Sequence, residues 1–343
     1  MPVCYNIPMQ EILAEVYRGN TVESVHFGSI VVVDNKGQVQ YYAGDPDLIS
    51  YTRSSLKPFQ AVPLTEQSGL EKYGFDLKAL AIMCGSHSGS SIHTEQVQKN
   101  LDKIGLDESY LQCGTHPPID YRTFNILPTK DEIFTPIQHN CSGKHSGQLA
   151  LALMLGCDPK RYLDPDYEPQ KIVKQTVSEI CEISPDDMKL GTDGCSLPNY
   201  AFPIKNLALG FANIASLKTD GEVRKKAFKT IIEAIQTHPI MVSGEDRSDY
   251  YIMQALPKEV FCKLGGEAIQ GVGILDKGWG MAVKIGDGNF RALGPVVVEA
   301  LRQIGVLPDS RLDFVKRIIK PNVYNNRDLL VGHIVPAFKL KRG

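Results

Sequence analysis

No apolar run in this chain reaches the roughly twenty residues that a membrane-crossing helix needs. Nor does one sign of charge prevail. A formal charge of −2 and a pI near 6.5 leave no electrostatic case for nucleic acid or membrane surfaces. Cysteine is sparse: eight in 343 residues are too few for a disulfide scaffold. The Cys-x-x-Cys pairs of closed zinc sites are absent. Residues 1–10 are polar and proline-broken, with no basic-then-apolar export signal. The expectation is therefore a cytoplasmic protein with reduced thiols, some of them available for metal or chemistry. There is no internal repeat, charge run or low-complexity segment, and the basic end Lys339-Leu340-Lys341-Arg342 is expected to be solvated.

What is present suits an ordinary globular protein. With 43% hydrophobic and 22% charged residues it can bury a large core, as one large domain or two closely packed lobes. Residues 21–51 read as strands. Ile30-Val31-Val32-Val33 runs into the turn signal Asp34-Asn35-Lys36-Gly37 and returns as Val39-Gln40-Tyr41-Tyr42, a hairpin. A second β-rich block spans 268–293, with strands expected at 271–275, 281–285 and 290–293. Between them, residues 148–155, 170–183, 207–217 and 222–236 repeat apolar residues at helical steps, as does 296–304 near the end. The spacing predicts an α+β fold. Both ends of the sequence build one antiparallel sheet covered by helices, with a mainly helical lobe inserted. As boundaries, 1–343 is a single catalytic domain, 21–57 and 260–305 the sheet lobe, and 58–259 the helical lobe.

The chemistry starts at Arg53-Ser54-Ser55-Leu56-Lys57-Pro58-Phe59. Residues three apart share a helical face, so Ser54 and Lys57 would meet, as an amine must to take a proton from a serine without histidine. Pro58 marks a helix start, although a residue before proline is biased away from helical angles. About one Ser-x-x-Lys is expected by chance in a sequence this long, so the neighbourhood matters. The helical seam after the hairpin is where pockets form.

Other segments are rich in small and reactive residues. Cys84-Gly85-Ser86-His87-Ser88-Gly89 follows an apolar run and places hydroxyls and an imidazole at a loop, or is simply a capped polar turn. Asn140-Cys141-Ser142-Gly143-Lys144-His145 opens a helix, and Thr192-Asp193-Gly194-Cys195-Ser196 is a separate glycine turn. Two thiols and a third ligand could hold zinc with an open position, although buried, inert cysteines are the commoner outcome. Residue chemistry alone favours His145 as that third ligand. Lys263, ahead of Leu264-Gly265-Gly266, either faces the serine pocket or ends a strand in water.

With these residues in view the sequence resembles the rhizobial-type (class 3) L-asparaginases, the thermolabile asparaginase II family, whose fold is similar to serine β-lactamases and glutaminases. The resemblance spans roughly residues 15–330. It runs through Arg18-Gly19-x-x-Val22-Glu23-Ser24-x-His26-x-Gly28, Arg53-Ser54-x-x-Lys57, Gly85-Ser86-His87-Ser88-Gly89, Asn140-Cys141-Ser142-Gly143-Lys144-His145 and Asp193-Gly194-Cys195-Ser196. It implies two Ser–Lys pairs, Ser54 with Lys57 and Ser86 with Lys263, Lys284 being the fallback for the latter. It implies zinc on Cys141, Lys144 and Cys195, overruling His145. Gly244-x-x-Arg247 fits the family, whereas Ser248-Asp249-Tyr250-Tyr251 departs from its Cys- and Thr-containing versions.

The implied reaction is hydrolysis of L-asparagine to L-aspartate and ammonia by a homodimer. Ser54 attacks, Lys57 takes its proton and Ser86 serves the departing ammonia, with the serine roles exchangeable. Arg53, His87 and Asp193 are the expected substrate contacts, Asp193 for the α-ammonium and Arg53 for a carboxylate. A serine β-lactamase or peptidase, a zinc-dependent amidohydrolase and a non-catalytic binding protein stay open.

Overall fold

The computed structural model describes residues 10–343; residues 1–9, with Cys4 and nearly all of the opening polar stretch, lie outside the described residues. Twelve strands form among them: β1 Glu11–Arg18, β2 Thr21–Asp34, β3 Val39–Ala43, β4 Ile49–Tyr51, β5 Lys189–Thr192, β6 Pro198–Pro203, β7 Val260–Gly265, β8 Ile269–Ile274, β9 Trp279–Ile285, β10 Asn322–Tyr324, β11 Leu330–Pro336 and β12 Lys341–Arg342. The helices that matter for the site are α1 Lys57–Gln60, α2 Leu77–Met83, α3 Ser142–Met154, α4 Glu168–Cys181, α5 Ile204–Ala215, α6 Glu222–Thr237, α7 Ser248–Ala255 and α8 Leu293–Gln303.

The main sheet has nine strands in the order β10-β11-β1-β2-β9-β8-β7, with β3 and β12 paired beside β2. Every pairing in it is antiparallel. β2 is the hinge of this curled sheet. Its first half pairs β1, while its second half lies between β3 and β9. The β-branched run Ile30-Val31-Val32-Val33 is buried on both faces, which explains why it does not alternate with polar residues. α5 packs on β8 and β9 closely enough that a Cβ on Gly280 would lie 1.8 Å from the Ala208 carbonyl oxygen. α8 packs against β1, β9 and β11.

The hairpin is β2–β3, and the helices expected from periodicity are α3 to α6 and α8. One expectation fails. Phe290–Ala292 is a 3-10 turn leading into α8, because the Asn289 side chain accepts from the Arg291 N–H and starts a turn. The basic end is exposed, as expected, while the backbone of Lys341 and Arg342 pairs with Tyr42 and Tyr41. Within the mainly helical segment 58–259, β5 and β6 join β4 in a second sheet of order β4-β6-β5. That small sheet positions the site: β4 runs directly into Arg53 and Ser54, and the β5–β6 turn carries Asp193 and Cys195.

Candidate active site

Backbone geometry at Ser54 is dictated by anchoring to β6. Thr52 N–H and its hydroxyl both donate to the Tyr200 carbonyl, and Arg53 N–H donates to Asn199 Oδ1. Arg53 then turns with φ 50°, a left-handed conformation costing a non-glycine residue roughly 1–3 kcal/mol. Arg53–Leu56 is 3-10 and leads into α1. Lys57 keeps helical angles (φ −58°, ψ −38°) in spite of Pro58, its N–H donating to the Ser54 carbonyl. Tertiary packing overrides the local bias, since Lys57, Pro58, Phe59 and Gln60 are all buried.

The Lys57 amine, at 0% exposure, donates to the Gly85 carbonyl at 2.5 Å, to Ser86 Oγ at 2.9 Å and reaches Cys141 Sγ at 3.3 Å. None of these bonds goes to Ser54. The pairing expected within the Ser-x-x-Lys turn is thus replaced by one across the fold. A buried amine needs several partners at once, and the 84–89 loop supplies two of them. That loop is clamped by Ser86 N–H on the Val242 carbonyl and His87 N–H on the Asn140 carbonyl. Burial pushes the Lys57 amine below the usual lysine value, against the pull of the Cys141 thiolate.

Ser54 and Ser86 both line one cavity of about 540 Å³, together with Arg53, Asp193, Cys141 and Cys195. Arg53 Nε donates to Asp193 Oδ1 at 2.6 Å, so the two expected substrate contacts are paired with each other on the wall. Burial would raise the Asp193 carboxyl, but Lys144 and Arg53 hold it below the usual carboxylate range.

Lys263 does not meet Ser86. It is fully buried, its amine donating to the Leu264 carbonyl at 2.6 Å and lying 3.7 Å from Asp249 Oδ2. Burial lowers its pKa to about 7, with Asp249 opposing and Lys57 assisting. Asp249 is held in turn by the Leu264 N–H and the Gln270 side chain. The fallback, Lys284, bonds the carbonyls of Glu267 and Ile285 and is not on the cavity wall. His87 is not on the wall either. It is wholly buried, its ring nitrogens engaging Ser142 Oγ at 2.9 Å and the Gly89 N–H at 3.2 Å, and it stacks on His93.

The metal-ligating candidates do gather. Cys141, Asp193 and Cys195 present ligand atoms within 4.8 Å of one another. Lys144, on the first turn of α3, sits 3.0 Å from Cys195 Sγ and 3.9 Å from Asp193 Oδ2. His145 turns away to Tyr162 Oη at 2.6 Å. The hydrogen bond from Cys195, with Lys57 and Lys144 nearby, keeps Cys141 well below its ordinary value despite burial, and Cys195 is correspondingly raised. Burial alone would lower Lys144, yet Cys195, Cys141 and Asp193 outweigh it and hold the ammonium. Two thiol sulfurs with the Lys144 nitrogen 3.0 Å from one of them are a donor set of the kind zinc takes, once the lysine is neutral.

Sequence reasoning did not single out His116, His139, Arg122 or Arg291, which also line the cavity. His139, directly before the Asn140-Cys141 motif, accepts from the Cys141 N–H at 2.9 Å, and that adjacency was the one available signal.

Among the described residues no helix is long and apolar enough to cross a membrane. No curated protein sequence matches this one. Among solved structures it is similar to Mglu in its native form, at 14% identity and a TM-score of 0.42, covering 81% of this protein and 63% of that one. A second Mglu crystal structure aligns at 12% identity and a TM-score of 0.45, over 82% of this protein and 67% of that one. The protein thus spans less than two thirds of the first of these structures. The sequence profile described as L-asparaginase II matches residues 14–336, which takes in every residue of the cavity cluster. The protein therefore belongs to the L-asparaginase II family.

Proposed function

We propose that the protein hydrolyses the side-chain amide of L-asparagine through an acyl-enzyme, with Ser86 as nucleophile and Lys57 as the base that serves it. The observation that carries this reading is the 2.9 Å contact between Lys57 Nζ and Ser86 Oγ at the wall of the cavity. Ser86 Oγ bonds to the amide carbon as its proton passes to Lys57. The C–N bond then breaks and ammonia leaves with that proton, and water releases aspartate from the ester by the reverse use of Lys57. Ser54, on the same wall, offers a second hydroxyl to the departing ammonia. The Arg53–Asp193 pair presents a guanidinium and a carboxylate side by side, complementary to the α-carboxylate and α-ammonium of an amino acid.

Within the family we assign the protein to the rhizobial-type, class 3 enzymes and read the fold as serine β-lactamase-like, organised as two lobes. The gathering of Lys57, Ser86, Cys141, Lys144 and Cys195 into one cluster supports this. Cys141, Lys144 and Cys195 would hold zinc, with Lys144 giving up its proton. The ion would supply a fixed positive charge beside the substrate pocket. We carry a homodimer and a cytoplasmic location as parts of the same reading, for which sedimentation and fractionation are the direct measurements.

The test is ammonia release from asparagine and glutamine, with the acyl group trapped and located by peptide mass. An acyl group on Ser86 supports the assignment, and one on Ser54 overturns it. Activity surviving Ser54→Ala and Ser86→Ala together would move the chemistry to the metal. Nitrocefin turnover would point to the β-lactamase reading. Zinc content by elemental analysis, with KM for asparagine before and after chelation, tests the metal. Unchanged KM and kcat after complete removal would sink a substrate-positioning role.

A further inference from the structure

The cavity carries more positive charge, and more room, than one asparagine uses. Four guanidinium groups stand on its wall, Arg53, Arg122, Arg247 and Arg291, against two carboxylates, Asp193 and Asp246. Both carboxylates are engaged, Asp193 by Arg53 and Asp246 by Arg317 at 2.5 Å. Among the described residues Arg122, Arg247 and Arg291 have no carboxylate partner within ion-pair distance, and Arg247 instead donates to the Ser86 carbonyl at 2.9 Å. A volume of about 540 Å³ lies well inside the range of drug-sized ligand sites.

Arg291 is held in place by residues from the other end of the sequence. Its Nε donates to His26 Nε2 at 2.9 Å, and Nη2 donates to Ser24 Oγ at 3.2 Å. The opposite nitrogen of His26, whose ring is only 2% exposed, lies 2.7 Å from Asp287 Oδ2. An imidazole accepting at Nε2 carries its hydrogen on Nδ1, so Asp287 fixes the tautomer that orients the guanidinium. Ser24 and His26 belong to the Glu23-Ser24-x-His26 motif, which the hydrolytic cluster leaves unused. Nη1 of Arg291 has no partner among the described residues. Apolar side chains of Ile119, Leu293, Ile318 and Pro321 line the same cavity.

We infer that Arg291 forms a second carboxylate subsite, and that the site takes peptides beginning with asparagine, the smallest being an asparaginyl dipeptide with an apolar second residue. The inference rests on the hydrolase reading above. Asp193 retains the free α-ammonium, so the extension runs through the α-carboxyl group, whose carbonyl still accepts from Arg53. The dipeptide's terminal carboxylate meets Arg291 and its apolar side group meets the apolar wall. Only the C–N bond of the asparagine carboxamide is cleaved: asparaginyl-leucine and water give aspartyl-leucine and ammonia, and the peptide bond stays intact.

The experiment measures ammonia release from asparagine, asparaginyl-leucine and asparaginyl-leucinamide, with wild type beside Arg291→Gln. The expected result is a KM for asparaginyl-leucine at least tenfold below that of its amide in wild type. Arg291→Gln abolishes that gap and lowers the selectivity for asparaginyl-leucine over its amide by a similar factor. Two results overturn the inference: equal KM for acid and amide in wild type, or no ammonia from the dipeptide while asparagine is hydrolysed. If asparagine is not hydrolysed either, the hydrolase reading itself has failed and takes this inference with it.

Discussion

Lys57 illustrates how far a local spacing can be trusted. The three-residue step points to the right turn, but a lysine is long enough to choose its partner from anywhere within reach. Its choice, Ser86, is 29 residues away in sequence and is set by how the 84–89 loop is clamped. Non-local contacts of this kind leave no mark on a short motif. Ser86→Ala is expected to lower kcat roughly a thousandfold or more, as loss of a nucleophile does, and Ser54→Ala far less. Steady-state ammonia release on both variants measures the order, and a reversed order refutes the assignment. Lys263 makes a second residue-scale prediction, through stability. Its folded pKa near 7 lies below the unfolded lysine value near 10.4, so the unfolded state binds the extra proton between those values. Stability therefore rises with pH through that window, and the penalty is fully present below pH 7. Lys263→Met removes it. Denaturant titrations should show the variant gaining most over wild type at pH 6, by on the order of 4 kcal/mol relative to the difference at pH 10. A difference independent of pH would mean that the amine is not buried as described.

At the scale of elements, periodicity serves where a helix has one wet face. α4 and α6 carry apolar residues at helical steps and are legible almost to their ends. α3 is legible only from residue 148 onward, because its first turns read Ser-Gly-Lys-His-Ser-Gly, which looks like a loop although every residue of it is buried. A polar sequence in a dry place is a mark of chemistry, and it erases the pattern that would announce the helix. β10 and β12 escape for the opposite reason: they are two or three residues long and partly or wholly exposed, so they carry no alternation to detect. The α5–β9 contact gives a test at this scale. Gly280→Ala would push a methyl group into the Ala208 carbonyl, where the backbone cannot yield as a flexible side group would. A loss of about 1–3 kcal/mol is expected by denaturant unfolding, and a neutral result would mean that helix and strand are farther apart.

In the whole molecule, the sheet is legible as a joining of both ends of the sequence, because its central runs in β2, β8 and β9 are strongly apolar. The small β4-β6-β5 sheet is not, since its strands read as isolated short runs until the fold brings them together. Yet this sheet delivers Arg53, Asp193 and Cys195 to the cavity. The Lys57 amine ties together the start of α1, the 84–89 loop and the turn before α3, three segments that share no local structure. An enzyme knotted at one such point loses turnover as soon as any one strand of the knot slackens, long before its helices melt. In a urea series, ammonia release should accordingly fade at lower concentration than the far-ultraviolet dichroism. Coincident midpoints would mean that the knot and the scaffold give way as one.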